Sequence, residues 1–516
     1  MLFQVVAQHL DTFLAHLEHD DCERSLPSFV RRELNGYLRC GILAHGFCRV
    51  HCAQCDGDEL VAFSCKRRGF CPSCGSRRMA DLAAHLVDSV LPDVPVRQWV
   101  LSLPHRVRLL CAYDPAACTI VRRIFVRAVS GFYLRRARRS GLARPNVGAV
   151  VFAQRFDSGL RLNLHFHGLW LDGAFACPLG NGRADFDPHG DVTDRDVERT
   201  IRAIRSRVLR ALRRLGKLPP GDDVAADIPP DVEPSLLLHL GAAAIQGRTA
   251  LGERQGAHDL RPGRGSRQDP FQRGPLCSDL DGFSLHAAVR IPAGCRERLE
   301  KLCRYAARPP IVEDRLSLLP DGRVSYRLKK RYRDGSTHVV LDPLTFLERL
   351  CALVPRPRRM MLTYHGVLAP AASMRDRVVP PPPLPNDDDG ADGAGGCDHL
   401  GPRERRRPQS SSTSHGRTLQ GQPFDNDPLR RRRMPSVPHA PRKNHSPRQR
   451  HSWAELLRRV YLIDVLTCPT CRGRRTLLAA IHDPDSIRRI LHHLGLPAEP
   501  PAVAPARPPP QARLPW

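Results

Sequence analysis

No run of apolar residues in this chain approaches the ~18 that a membrane-spanning helix requires, so no such helix is expected. The opening residues, MLFQVVAQHL, have neither the basic flank nor the small-residue cleavage site of a secretory signal, and a soluble, intracellular protein is expected. Repeats of ~20–50 residues are missing as well. Acidic residues are scarce beside basic ones, 53 against 80, leaving a net charge of +27. Such an excess favours a polyanionic partner, because each neutralised phosphate releases a condensed counterion; nucleic acid is the expected partner. Part of the charge sits in tail-like runs such as Arg430–Arg433, where it would simply be solvated.

What is present is unevenly spread. The 516 residues include 48 prolines, 38 glycines and 18 cysteines, and apolar residues make up 41%, below the usual ~45–50%. A chain of this length suggests two to four domains with ample core, joined by linkers. Without export signals, the cysteines read as thiolates for metal rather than as disulfides.

A Cys-rich module is expected over residues 1–93, ending in a helix, Met79–Leu91. An α+β domain follows over 94–373. It begins with the strand RQWVLSL and a basic helix, about Asp114–Ser140, then the strands VGAVVFAQRF and LRLNLHFHGLWL, joined as a hairpin through Asp157-Ser158-Gly159. Asp194–Leu215 reads as a strongly basic helix, and polar insertions are expected at about 216–235 and 247–276. Next come the strand FSLHAAVRI, the helix Cys295–Ala307, a hairpin turned at Asp334-Gly335, and a helix capped by Asp342 with Pro343 first. Residues 374–452, with a proline run, an acidic patch, SSSTS and RRRR, have the composition of a disordered linker. A small C-terminal module, 453–497, and a Pro-rich tail, 498–516, close the chain.

Chance would give roughly 0.6 C-x-x-C pairs at this cysteine content; the sequence has three, at Cys52/Cys55, Cys71/Cys74 and Cys468/Cys471. Zinc takes four tetrahedral ligands, and two such knuckles supply them, so Cys52, Cys55, Cys71 and Cys74 are the expected zinc site. Cys65 is a spare or a replacement, Cys40 and Cys48 could serve a second site, and Cys468 with Cys471 is half a site in need of partners. Lys66, Arg67, Arg68, Arg77 and Arg78 line the same element and would present positive charge to phosphate.

Alternation along Leu162–Leu171 puts Leu162, Leu164, Phe166 and Trp170 on one face and Asn163, His165 and His167 on the other. Two imidazoles at period 2 on a strand lie about 6–7 Å apart and can converge on one cation. Pairing across the hairpin can bring the Gln154 amide to the same face as a third ligand, leaving coordination positions for a phosphate. The helix over 296–307 buries Leu299, Leu302, Cys303 and Ala306, which leaves Tyr305 on its flank beside Lys301 and Arg308. Two cations there suit a phenolic nucleophile and could hold a DNA phosphate.

The order LRCG, C-x-x-C, FSCKRRGFCPSC, QRF, LNLHFHGLWLDG, LCRYAARPP, YHGVLAP, W-x-x-LL and DVLTCPTC resembles the rolling-circle transposases of the insertion-sequence 91 family, especially its common-region branch. The resemblance covers everything except the polar insertions, the linker and the tail. It implies an HUH-type nuclease core, mostly an antiparallel sheet with helices on it. His165 and His167, with Gln154, would be ligands of Mg²⁺ or Mn²⁺, and Tyr305 would be the nucleophile that takes a 5′-phosphotyrosyl link to single-stranded DNA at transposon ends and target. Relatives often carry a histidine where this chain has Gln154, and many have a second tyrosine at the position of Lys301, so a one-tyrosine version is implied. The resemblance also implies structural zinc and a bacterial, cytoplasmic, DNA-associated protein. The alternatives are a plasmid replication initiator or relaxase with the same chemistry, and a catalytically decayed zinc-dependent DNA-binding protein.

Overall fold

Two helices that the sequence pattern did not single out, α1 (Leu2–His19) and α2 (Ser28–Tyr37), open the chain in a computed structural model. The structure describes residues 1–19, 25–176, 182–188, 191–218, 235–262, 274–332, 334–380, 453–461 and 464–507. A hairpin, β1 (Phe47–Cys52) and β2 (Gly57–Ala62), precedes α3 (Pro72–Ser89), which starts at a proline and so earlier than expected. Then come β3 (Val96–Ser102), α4 (His105–Tyr113) and α5 (Pro115–Arg139), the last capped by the Asp114 carboxylate, which accepts from the Ala116 and Ala117 amides at 2.8 and 3.1 Å. The expected hairpin is β4 (Gly148–Phe156) and β5 (Leu162–Leu171), and Asp157 fixes its turn by accepting from the amides of Gly159 (2.8 Å) and Arg161 (3.0 Å).

Short strands β6 (Gly173–Phe175) and β7 (Phe186–Pro188) lead to α6 (Asp194–Arg214), held at its start by a reciprocal Thr193–Asp196 capping box. Its buried residues, Val197, Ile201, Ile204, Val208 and Leu212, form one stripe, so its arginines line the opposite side. Helix α7 (Leu236–Gln246) ends at Gly247, which takes the left-handed conformation, φ 70°. The expected strand FSLHAAVRI is broken in two, β9 (Phe283–His286), paired with β8 (Cys277–Leu280), and β10 (Arg290–Ile291). Helix α8 (Arg296–Ala307), the meander β11 (Leu316–Leu318), β12 (Val324–Arg327) and β13 (His338–Leu341), helix α9 (Pro343–Leu353), β14 (Leu362–Gly366) and α10 (Arg375–Val378) follow. The C-terminal part holds α11 (Trp453–Tyr461), β15 (Arg475–Ile481) and α12 (Pro484–His493).

The central sheet is antiparallel throughout, in the order β14-β4-β5-β3-β9-β8 with β10 also against β3. Hydrophobic residues of β5 point both ways. Leu162, Leu164, Phe166 and Trp170 join a large core with α1, α4, α5, α6, α7 and α9. Leu169 and Leu171 join a second core with Val150 and Phe152 of β4, Ala83, Leu86 and Val87 of α3, and Leu299, Leu302, Cys303 and Ala306 of α8. The sheet is therefore covered on both faces, and α8 rests on the face that carries the histidines.

Three features of the packing bear on the expected modules. The boundary at residue 93 is no break in the core, since Val5, Leu34 and Phe70 pack in one cluster with Phe346 and Leu350 of α9. The segment 247–262 is no free insertion: Glu348 of α9 accepts from the amides of Ala250 (2.8 Å) and Leu251 (3.1 Å), and Asp259 pairs with Arg349 at 2.6 Å, both side chains 1% exposed. Its polar residues are there to satisfy buried groups on α9. The tail begins docked, with the Ala504 amide donating to Ala7 O at 2.9 Å and the Arg507 amide to Thr12 Oγ1 at 3.0 Å. Most of the expected linker lies outside the described residues, although 374–380 fold back as α10 with Val378 buried.

Candidate functional site

The hairpin register decides which side chains meet. Gln154 stands opposite His165 and Phe152 opposite His167, so Gln154 shares the histidine face; the register slips by one residue between Gln154 and Phe156. His165 and His167 are buried, and their Nε2 atoms approach to 2.9 Å. His165 Nδ1 contacts the Asn163 carbonyl at 2.8 Å, and His167 Nδ1 contacts Gln98 Nε2 of β3 at 3.0 Å. Burial pushes the His165 pKa down to about 4, against the pull of that carbonyl. Burial, then His165 and Arg308, take His167 well below the ordinary histidine value. Both rings are thus neutral near pH 7, the state a metal ligand needs.

The Gln154 amide nitrogen donates to the carbonyls of Tyr305 (3.5 Å) and Ala306 (3.4 Å), tying β4 to the last turn of α8. Its Oε1 is buried without a hydrogen-bond partner, and an orphaned acceptor beside two imidazole nitrogens fits a cation site. The apolar face of α8 seats on the sheet and presents Tyr305, 36% exposed, so that its ring meets the His167 ring edge-on with centroids 5.7 Å apart. Arg308 lies over the phenol at 4.9 Å, wedged also against Phe156 at 5.3 Å. The second cation is not Lys301, which is exposed one turn back on α8, but Lys329, whose Nζ sits 4.3 Å from the Tyr305 ring centroid. Burial, then Arg308, Arg315 and Lys330, lower the Lys329 pKa.

The expected zinc set of Cys52, Cys55, Cys71 and Cys74 is not one site. Cys71 and Cys74 gather with Cys40 and Cys65, while Cys52 and Cys55 gather with Cys468 and Cys471, each group with sulfurs within 4.8 Å of one another. The reason is the β1–β2 hairpin. Cys52 and Cys55 are at its tip, whereas Cys40 and Cys65 flank its base, where the Gly41 amide donates to the Phe63 carbonyl at 2.9 Å. Six residues of strand, roughly 20 Å, separate the two ends. Cys48 belongs to neither group. In the first group, Cys40 lies 3.7 Å from Cys71 and 3.8 Å from Cys74, and Cys65 lies 3.4 Å from Cys74. Lys66, Arg68, Arg77 and Arg78 are exposed beside it, while Arg67 packs against Gly36. A side chain at Gly75 would run into Pro309, 2.5 Å away, so a glycine there allows α3 to approach the residues just past Tyr305.

Two family models match the chain: the transposase family Y2_Tnp over residues 148–376 and the transposase zinc-binding domain of insertion sequence 91 over residues 5–103. The chain is an IS91-like transposase. Neither a search of curated proteins nor one of solved structures gives a match. As a transposase it binds DNA, and the zinc-binding match together with the cysteine clusters supports structural zinc. No helix among its described residues is long and apolar enough to cross a membrane. Two residues beside the histidine–tyrosine cluster carry no signal in the sequence pattern. Gln98 is one of many polar residues on strands, and Lys329 follows β12, 24 positions after Tyr305, with no local signal linking them.

Proposed function

We propose that this transposase nicks and rejoins single-stranded DNA through a covalent phosphotyrosine on Tyr305, moving an insertion sequence by a rolling-circle-type mechanism on an HUH-type core. The approach of Tyr305 to the His165–His167 pair carries the reading. His165, His167 and Gln154 would hold the divalent ion, Mg²⁺ or Mn²⁺. When bound, that ion polarises a non-bridging oxygen of the scissile phosphate.

The Tyr305 oxygen attacks phosphorus, a P–O bond to tyrosine forms, and the bond to the 3′-oxygen breaks. The phenolic proton passes to solvent, and the 3′-oxygen leaves as a hydroxyl after taking a proton. Arg308 and Lys329 flank the phenol and offset charge on phosphate and phenolate. A later 3′-hydroxyl reverses the attack, Tyr305 regains its proton, and strands are joined without ATP because the ester conserves the bond. With Lys301 standing where a second tyrosine would lie on α8, one covalent link forms at a time. Outside the cut, Arg127 of α5 and Arg207, Arg210 and Arg214 of α6 line a shallow groove of about 350 Å³ suited to backbone phosphates.

Labelled oligonucleotides with Mn²⁺ test the reading. Single strands should yield a free 3′-hydroxyl end and a 5′ end retained on protein, while the same sequence as duplex is spared. Free 5′-phosphate ends would mean hydrolysis by water and overturn the covalent scheme. A catalytically decayed DNA-binding protein, the reading that Gln154 in place of histidine favours, would bind the strands and leave them whole.

A further inference from the structure

We infer that the transposase carries a second structural zinc, held by Cys52 and Cys55 from near its start and by Cys468 and Cys471 from near its end. Cys468 and Cys471 lie beyond the residues matched by the zinc-binding family, 5–103. Their own half-site gains its partners only through folding. Cys52 Sγ is 3.5 Å from Cys471 Sγ and Cys55 Sγ is 3.6 Å from Cys468 Sγ, with all four sulfurs within 4.8 Å. Tetrahedral zinc with Zn–S bonds of ~2.3 Å separates its sulfurs by about 3.8 Å, whereas a disulfide would need about 2.0 Å.

The two loops are built alike. Each reads C-x-x-C-x-G, Cys52-Ala-Gln-Cys55-Asp56-Gly57 and Cys468-Pro-Thr-Cys471-Arg472-Gly473. In each, the residue after the second cysteine is left-handed, Asp56 at φ 55° and Arg472 at φ 61°, which non-glycine residues adopt only when the surroundings demand it. The turn aims the next amide back at sulfur: Gly473 N donates to Cys471 Sγ at 3.3 Å, and Gly57 N–H donates to Cys55. A Cβ at Gly473 would lie 3.2 Å from that sulfur and 2.3 Å from Gln54 Oε1, and one at Gly57 would lie 3.3 Å from Cys55 Sγ. Amide donors to each sulfur are what a thiolate–zinc knuckle requires.

The surroundings bring the ends together independently of the metal ligands. β15 adds to β1 as a third antiparallel strand, Phe47 opposite Ile481 through Cys52 opposite Arg475, and Ile487 and Leu491 of α12 close over Phe47. Farther back, Leu456 of α11 packs on Ala80 and Ala84 of α3. Arg459 bonds both Asp88 of α3 (2.5 Å) and Glu300 of α8 (2.9 Å). The zinc would thus close a loop of 413 residues, counted from Cys55 to Cys468, and anchor the segment that braces the helix bearing Tyr305.

The test uses the full chain with a specific protease site placed within 383–449. The intact protein should contain two zincs, and Cys468→Ser/Cys471→Ser one. Cobalt substitution should give thiolate charge-transfer intensity for two sites in the parent and for one in the variant. After cleavage, the two pieces of the parent should stay together, and they should part at a lower denaturant concentration once a chelator has removed both metals. One zinc in the parent, or pieces that part at the same denaturant concentration with and without the metals, would overturn the proposal. Should the variant fail to fold, the parent's metal count and the chelator experiment still decide.

Discussion

The rings of His167 and Tyr305 meet edge to face, centroids 5.7 Å apart and planes at 89°, although the two residues are 138 positions apart in sequence. What brings them together is apolar packing. Leu299, Leu302, Cys303 and Ala306 bury against the sheet face that also carries Leu169 and Leu171, the strand positions that continue the histidine row. Each fully buried leucine contributes about 1.5–3 kcal/mol, so the seating of α8 does not depend on the polar groups it presents.

Lys329 should matter for rate. Lys329→Ala is expected to slow formation of the covalent adduct about 10- to 100-fold, the effect of losing one charge-assisted contact of roughly 1.5–3 kcal/mol. Lys329→Arg should restore part of the loss. Single-turnover rates on a labelled single strand measure both.

Gln98 should set the state of the histidine pair. One assignment satisfies all the contacts seen: Gln98 donates to His167 Nδ1, His167 Nε2–H donates to His165 Nε2, and His165 Nδ1–H donates to the Asn163 carbonyl. In that arrangement the His167 nitrogen nearest the site carries a proton. Turning the Gln98 amide over presents its oxygen to Nδ1–H and frees Nε2 for a cation. Gln98→Glu, which can only accept, is expected to tighten Mn²⁺ binding, and Gln98→Leu to weaken it about 10- to 100-fold. Calorimetric titration of Mn²⁺ reads this without any turnover.

Much of this was legible in the sequence, and the misses share one cause. The β4–β5 hairpin, helices α5, α6, α8 and α9, and the shared face of Gln154, His165 and His167 follow from period and turn chemistry, which are local. The grouping of cysteines was not legible, because spacing names ligands in pairs and cannot say which pairs meet. A six-residue strand put Cys52 and Cys55 out of reach of Cys71 and Cys74. Lys329 was hidden for the same reason: it reaches Tyr305 from a separate sheet. The segment 247–262 read as an insertion because its polar residues are partners to buried groups on α9, a relation that composition does not carry.

Asp172 should matter for stability. Its carboxylate takes Arg97 at 2.9 and 3.0 Å, the Tyr133 hydroxyl at 2.8 Å and Arg290 at 2.8 Å, joining β3, β10 and α5 at the end of β5. Asp172 is 1% and Arg97 3% exposed, so Asp172→Ala strands a buried cation and is expected to cost about 3–5 kcal/mol. Denaturant unfolding checks the value.

Binding should report the arginine groove through salt. Each phosphate contact to a single strand contributes about 0.7 to the slope of log K against log salt, so Arg207→Ala/Arg210→Ala/Arg214→Ala should lower the slope by about 2. An unchanged slope would place the DNA elsewhere.

The most direct measurement is to map the nucleotide. A single-stranded oligonucleotide is incubated with the protein and Mn²⁺, the SDS-resistant adduct is digested, and the modified peptide is sequenced by mass spectrometry. The nucleotide is expected on Tyr305 in the peptide containing LCRYAAR, with adduct reduced at least about a thousandfold in Tyr305→Phe. Adduct that persists in that variant, carried by Tyr326, Tyr332, Tyr364 or any other residue, would contradict that assignment.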